Sequence, residues 1–421
     1  MNQYEFVRQL SHADVLLSQG RFRHAEELLE KLIATGYEGS DIMKMMAIAK
    51  MGLKKFSEAE ELCHLIISHH PNEAFAFYIL STIRGTERNF DEALKNLNEA
   101  IRLDPANADF LAFKANILLQ TKDFQEALES ADLGLSVDAE NIDALNARAS
   151  ALVGLNRREE AFITIDKSLA TDPDNADTHA NMGWGLLHQG KSDLALEHFK
   201  TALKQEPMNN YAKSGMLEAM KSRFPVYRYF LMLMLWLGRM KGNNQWAFII
   251  GGYVVYRILV ELVKNYEFMG PFLLPVIVVI ALFFISTWIF SPLMNLYLLS
   301  NPFGKLTLSD DQKLSARLTG VSLLLSLVSC LTYFFVYANE GFLSFSLFSF
   351  AMMIPLGSMN NPFLEVNRKK LRYWTLVIAL LIMADACFCI STNSFMSSFS
   401  VLPFFALIAY QLYTNYILIR E

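Results

Sequence analysis

The sequence predicts an all-α protein in two parts: a solenoid of six helix pairs, then a polytopic α-helical membrane domain of about six spans. Three observations predict it. A 34-residue interval runs through the first half of the 421-residue chain. Apolar segments of near-spanning length fill the second half. Basic residues alternate among the connections between those segments. The expected division is 1–222 for the solenoid, 223–243 for an interfacial amphipathic linker helix, and 244–421 for the membrane domain.

The interval comes first. Ala25, Ala59, Ala93, Ala127, Ala161 and Ala195 follow one another at 34 residues without a slip. Twelve residues before each stands another small residue: Ala13, Ala47, Ser81, Ala115, Ala149 and Gly183. Twelve after, Pro71, Pro105, Pro173 and Pro207 occupy four of the six places. Small residues at two fixed places let paired helices approach closely, and Pro ends the second helix and turns the chain into the next unit. An aromatic residue opens the second helix in four copies, at Phe22, Phe56, Phe90 and Phe124.

This pattern resembles the tetratricopeptide repeat (TPR), over residues 6–209. The copy from Ala176 to Asn209 is the closest to it, followed by that from Ala74 to Asn107. His12, Lys114 and Arg148 stand at an apolar place of the family, Gln9, Met43, Phe77, Leu111, Leu145 and His179 at its Trp place, and Tyr37 and Ala139 replace the Pro. The register never breaks. The resemblance implies a protein-binding array in which first helices line a concave groove. That groove would display Tyr78, Thr82, Asp109, Asn116, Asp143, Asn146, Ser150, Asp177, Trp184 and His188. Asp41, Asp109, Asp143 and Asp177 recur at one place. They complement the helix dipole there, or form a ladder that also contacts a ligand. The Lys/Asn/Arg clamp of chaperone-binding TPRs is not found: Lys44 sits where its first Lys could, but Ile48 replaces the Asn one turn on. An acidic groove suits a basic or amide-rich segment instead.

Charge divides the chain as the repeats do. Residues 1–225 carry 24 Lys and Arg against 34 Asp and Glu, and residues 226–421 carry 13 against 8. The acidic half does not suggest a nucleic-acid partner. No signal peptide is expected from the opening residues. Cys63, Cys330, Cys387 and Cys389 show no framework of paired spacings and are expected as free thiols in a reducing compartment. Cys63 with His64, His69 and His70 resembles a metal cluster only in sequence, because neighbours on a helix point apart. No Gly-rich phosphate loop, HExxH, CxxC pair or GxSxG is present, so neither catalysis, a cofactor nor a metal is expected.

Apolar segments follow at about 245–263, 269–290, 316–338, 342–358, 373–391 and 398–418, most approaching the ~20 residues that span a bilayer. The fourth is short and contains Pro355. Lys221, Arg223, Arg228, Arg239 and Lys241 precede the first. Lys305, Lys313 and Arg317 lie between the second and third, and Arg368, Lys369, Lys370 and Arg372 between the fourth and fifth. The remaining connections carry Lys264 alone or no basic residue. The positive-inside rule then puts both termini in the cytoplasm, and short loops without internal targeting signals point to a bacterial inner membrane. Val226–Met240 offers only ten uncharged residues between Arg228 and Arg239, about 15 Å as helix, which suits a helix lying flat under anionic lipid. Asn301-Pro302-Phe303 and Asn361-Pro362-Phe363 are read as helix stops, with a duplicated hairpin unit as the sharper reading. Ser309 and Gln312 form a capping box, and Trp288, Tyr373 and Trp374 are interface anchors.

Arg257, Glu261 and Asp385 are the ionisable residues within the spans. Arg257 and Asp385 each lie about 12 residues in, about 18 Å deep, so an interhelical ion pair is expected, with Glu261 one turn above Arg257 as a second partner. Two functions stand. One is a scaffold or assembly factor that binds a cytoplasmic protein and holds it at the bilayer. The other is a transporter or channel with a regulatory or recruiting TPR domain. Expected partners are a protein in the groove and the lipid bilayer, with self-association left open.

Overall fold

A computed structural model describes residues 3–35, 39–240, 242–301, 304–305, 308–361 and 364–420. Tyr37, Lys241, Pro302-Phe303 and Pro362-Phe363 lie outside the described residues. The described secondary structure is helical, with no strand. By its contacts the chain divides into two compact units. One is Met1–Gln189 with Glu197–Ala212 and Gly238–Lys241; the other is Gly190–Leu196 with Lys213–Leu237 and Gly242–Glu421.

The repeats are helix pairs: α1 Gln3–Ser18 with α2 Phe22–Ala34, α3 Ser40–Gly52 with α4 Phe56–His69, α5 Ala74–Thr86 with α6 Phe90–Leu103, α7 Ala108–Gln120 with α8 Phe124–Val137, α9 Ile142–Gly154 with α10 Arg158–Thr171, and α11 Ala176–His188 with α12 Ser192–Gln205. All twelve small residues of the pattern are buried. At Ser81 the hydroxyl donates to the Ala93 carbonyl, the other small place of its repeat, at 2.8 Å, so the polar atom is not stranded. At Gly183 no side chain fits, because a Cβ would lie 2.7 Å from the Phe199 ring.

A further 34-residue series marks the turns. Gly20, Lys54, Arg88, Lys122, Asn156 and Gly190 all have positive φ, between 61° and 73°. Each of the first five donates to a carbonyl three residues back, and the next residue reaches five back, as from Lys54 to Met51 and Lys55 to Lys50. This satisfies the last carbonyls of the first helix and reverses the chain. Asn107, Asn141 and Asn175 cap the first helices that follow them, accepting from Phe110, Ala144 and Thr178, and Asn209 accepts from the Ala212 N–H in the same way.

Then come α13 Asn210–Lys221, α14 Pro225–Gly238, α15 Gly242–Asn265, α16 Gly270–Ser300, α17 Asp310–Phe335, α18 Glu340–Ala351, α19 Met353–Ser358, α20 Glu365–Thr392 and α21 Val401–Arg420. Among the described residues, three helical stretches are long and apolar enough to cross a membrane: Asp310–Phe335, Glu340–Ser358 and Glu365–Thr392. Gly270–Ile280 is a shorter apolar run. Three of the six expected spans therefore meet that test. The second of them breaks between α18 and α19, at Met352. Pro355 has no N–H for the carbonyl of Ala351 and its ring crowds that carbonyl, and α18 ends at Ala351.

Serine holds α17 to α18. Ser315, Thr319, Ser322, Ser326 and Ser329 lie on one buried face. Ser322 donates to the Ser349 carbonyl, Ser326 to Ser346 at 2.9 Å, Ser329 to Phe342 at 2.7 Å, and Ser346 returns a bond to Ser326 at 2.9 Å. Small hydroxyl residues allow this close approach and supply interhelical bonds. The Ser309–Gln312 capping box opens α17. Asp311 beside it binds Arg368 at 2.7 Å and Arg372 at 2.8 Å, joining the starts of α17 and α20. On α14, Tyr227 and Leu231 are buried, and Phe230 stands edge-on to Phe290 of α16 with centroids 4.8 Å apart.

The expected Arg257–Asp385 ion pair is not formed. Asn393 takes a left-handed conformation, φ 50°, and the chain folds back over α20. Asp385 Oδ1 accepts from Ser400 at 2.7 Å and Ser397 at 3.1 Å, with Cys389 Sγ at 3.6 Å. Arg257 is exposed on α15, and Glu261 accepts from Asn265 at 3.4 Å. Equal depth along two helices says nothing of which way each side chain faces.

Candidate functional site

First helices of successive repeats pack directly on one another, α1 on α3, α3 on α5, α7 on α9 and α9 on α11. They form one layer of the array, and the residues predicted for the groove lie on it.

The four residues of the shared Asp place have three kinds of surroundings. Asp41 pairs with Lys44 at 2.9 Å, and Lys44 also reaches Glu73 at 3.2 Å; that lysine is neutralised within the array. Asp109 accepts from Asn141 at 2.7 Å and Asp177 from Asn209 at 2.8 Å. In each case the Asn that caps the next first helix steadies the carboxylate. Asp143 has no such bond: the Asn175 amide donates to Asp172 at 3.1 Å. Burial, then the carboxylates of Asp109 and Asp177, raise the Asp143 pKa above the ordinary carboxylate value. A cation beside it would relieve both.

Aromatic residues stand on either side. Tyr78 stacks on Phe110 at 5.0 Å and meets Phe113 edge-on at 5.3 Å. Burial, then Asp109, pushes its hydroxyl pKa up. Thr82 returns its hydroxyl to the Tyr78 carbonyl, and with Asn116 it lines a cavity of about 260 Å³. Beyond Asp143, Trp184 stacks on Tyr211 with centroids 5.6 Å apart. These two line a second cavity of about 200 Å³ with Ser150, Asn181 and His188. Ser150 donates to Asn181 at 3.4 Å. The His188 imidazole is lowered to about 4, by burial and then by Arg239 and Arg158, so it is neutral near pH 7.

Asn146 does not present itself to a ligand. It is buried, donates to Asn175 at 3.4 Å and accepts from Thr178 at 3.0 Å. Its work is to hold the next cap. Cys63 is buried and its thiol is pushed up to about 12, chiefly by burial. Among the described residues no group of three or more His, Cys, Asp or Glu gathers as a metal site.

Sequence reasoning missed Tyr211 and Asn181. Tyr211 was within reach, since it stands 34 residues after Asp177 at the same repeat place. Residues 84–140 match the family model of the tetratricopeptide repeat.

The repeats of this chain are tetratricopeptide repeats.

No curated protein matches the chain. Among solved structures, the TPR array is similar to YrrB, titled a TPR protein with an unusual peptide-binding site, at 18% identity over 44% of this chain and 95% of that one, with a TM-score of 0.33. It is similar to PilF of Pseudomonas aeruginosa at 15% identity over 50% and 95%, TM-score 0.41. It is similar to MamA of Desulfovibrio magneticus RS-1 at 16% identity over 41% and 97%, TM-score 0.35. TPR arrays are protein-interaction scaffolds and are typically non-catalytic.

Proposed function

We propose that this protein is a membrane-anchored TPR scaffold or assembly factor, which captures a basic or amide-rich segment of a cytoplasmic protein and holds it at the bilayer. The supporting observation is Asp143, a carboxylate without the stabilising amide its neighbours have, flanked by like charge and by aromatic surface. A Lys or Arg side chain of the partner would supply the missing donor, and charge-assisted bonds of this kind are about twice as strong as neutral ones.

The membrane domain is read as six spans, with α15, α16 and α21 added to the three that meet the length and apolarity test. Both termini lie in the cytoplasm of a bacterial inner membrane. The α14 helix, 14 residues or about 21 Å long, is too short to cross and lies in the interface. The transporter or channel reading is second to this one, and it rests on Asp385.

The test is co-purification in mild detergent with the full chain as bait. Asp143→Lys should lose a partner that the wild type retains, while Asp109→Asn, whose amide can still meet Asn141, should retain most of it. Binding unchanged by Asp143→Lys would move the contact off the groove.

A further inference from the structure

We propose that the groove holds its partner segment by two side-chain anchors about five or six residues apart: an apolar side chain between α5 and α7, and the carboxamide of an Asn or Gln between α9 and α11. The anchors rest on the scaffold reading, in which the groove is the working surface. Two hollows of the array repeat. The cavity of about 260 Å³ is lined by Thr82, Gly85, Phe113, Asn116 and Gln120, and that of about 200 Å³ by Ser150, Val153, Asn181, Trp184 and His188. Each residue of the second set stands 68 residues, two repeats, after its counterpart in the first. The array therefore forms one kind of hollow twice, at the same places of its repeat. Either is smaller than the about 300–1,000 Å³ of a small-molecule pocket and suits a single side chain.

Equal places carry different chemistry. The first hollow has the rings of Phe90 and Phe113 and the side chain of Ile117 in its wall. Its hydroxyls are already used, since Thr82 donates to the Tyr78 carbonyl and Thr86 to the Thr82 carbonyl. An apolar side chain fits there. In the second, Asn181 stands where the first has Phe113, and His188 where it has Gln120. Asn181 accepts from Ser150. Burial, then Arg239 and Arg158, keeps the His188 imidazole neutral near pH 7, and a neutral imidazole presents one donor and one acceptor. Those two guanidinium groups oppose a cation in this hollow. Asp177, which after burial raises the Tyr211 hydroxyl at its edge, opposes an anion. A carboxamide is neutral and has both a donor and an acceptor.

Repeat geometry sets the spacing. From one hollow to the other is two steps from a first helix to the next. Packed helices stand about 8–10 Å apart, so the hollows are about 16–20 Å apart. An extended chain advances about 3.3–3.6 Å per residue, which makes about five or six residues. Side chains of an extended segment alternate between two faces, so an interval of six puts both anchors on one face.

The test is selection of random 12-residue peptides, displayed on phage, against the full chain in nanodiscs, followed by affinity measurements on synthetic copies of the binders. Enriched peptides should pair an apolar residue with Asn or Gln at an interval of five or six. Ala at either anchor should weaken binding about tenfold or more. Gly85→Leu fills the first hollow without strain, since a Cβ there meets only the Phe113 ring at 3.9 Å and Leu is the better helix former. In that variant Ala at the apolar anchor should cost nothing further, while the cost at the amide anchor persists. Val153→Phe should do the converse. No enrichment, an interval that varies among binders, or anchor costs unchanged in the filled variants overturns the proposal. Peptides without a fixed interval that are still lost with Asp143→Lys would remove the anchors and spare the scaffold reading. Peptides indifferent to Asp143→Lys and to both fillings would remove the groove as well. Should Val153→Phe fail to fold, Gly85→Leu decides alone.

Discussion

Replacing Lys54 and Arg88 by Gly should stabilise the array. Both are held at φ 61°, where a side chain costs about 1–2 kcal/mol through the clash of Cβ with the carbonyl. Glycine removes that cost. It adds about 0.5–1 kcal/mol of backbone entropy to the unfolded chain, so the net gain is about 0.5–1 kcal/mol at each site. The sites are 34 residues apart and share no partner, so the gains should add to about 1–2 kcal/mol. Opening of the helices that flank each turn would become about 5–30 times rarer. The assay is hydrogen exchange of peptides from α3 to α6 in the full chain under EX2 conditions. At an ordinary helix-interior position the same change destabilises by about 1 kcal/mol. Faster exchange in Lys54→Gly or Arg88→Gly would therefore refute the left-handed turn and the repeat register with it.

The TPR array should lose stability as pH falls from 6.5 to about 4. His188 stays neutral down to about 4 in the folded chain against an ordinary 6.5, so between those values only the unfolded chain binds the proton. The slope is up to about 1.4 kcal/mol per pH unit, and His188→Gln should lessen it by that amount in exchange or urea titrations. For topology, a single Cys at position 394 should react with impermeant reagent from outside and one at 309 should not; the reverse pattern would invert the membrane domain.

The sequence carried the repeat because its markers are residue types that the geometry nearly requires. A small residue is needed where Ala161 and Gly183 meet neighbouring helices, and Pro suits the turn at 105 or 173. The left-handed turn residue was hidden, because four of its six places hold Lys, Arg or Asn in place of Gly. The Schellman-type bonds of Lys54 and Arg88 outweigh the strain, so the conformation persists without its usual signature. In the membrane half, the apolar runs were legible and the serine face of α17 was not. Ser315, Ser322, Ser326 and Ser329 read as scattered polar residues until their spacing is set against α18. Asp385 was found by its cost in hydrocarbon. Its partners were not, since they come from a reversal at Asn393 that no periodicity announces.

The Asp ladder shows why a repeat pattern locates a surface and not a site. Asp41, Asp109, Asp143 and Asp177 occupy one place in four repeats, and all four gain from the positive end of a helix. What separates them is the neighbouring repeat. Lys44 neutralises the first, and Asn141 and Asn209 tie down the second and fourth. Asn175 is the same residue type as those two, at the same place, but it bonds Asp172 and also serves Asn146 and Thr178. Asn209 bonds both Glu206 and Asp177, whereas Asn175 bonds Asp172 and not Asp143, and Asp143 stands without the amide between two fixed carboxylates that oppose any further negative charge. Restoring the repeating bond is therefore the perturbation that matters: Asp172→Ala frees the Asn175 amide without touching the groove. If Asn175 then turns to Asp143, partner binding should weaken although every groove residue is intact. Unchanged binding in a variant whose Asn175 amide is seen by NMR to have moved would mean that the partner does not depend on Asp143 being free.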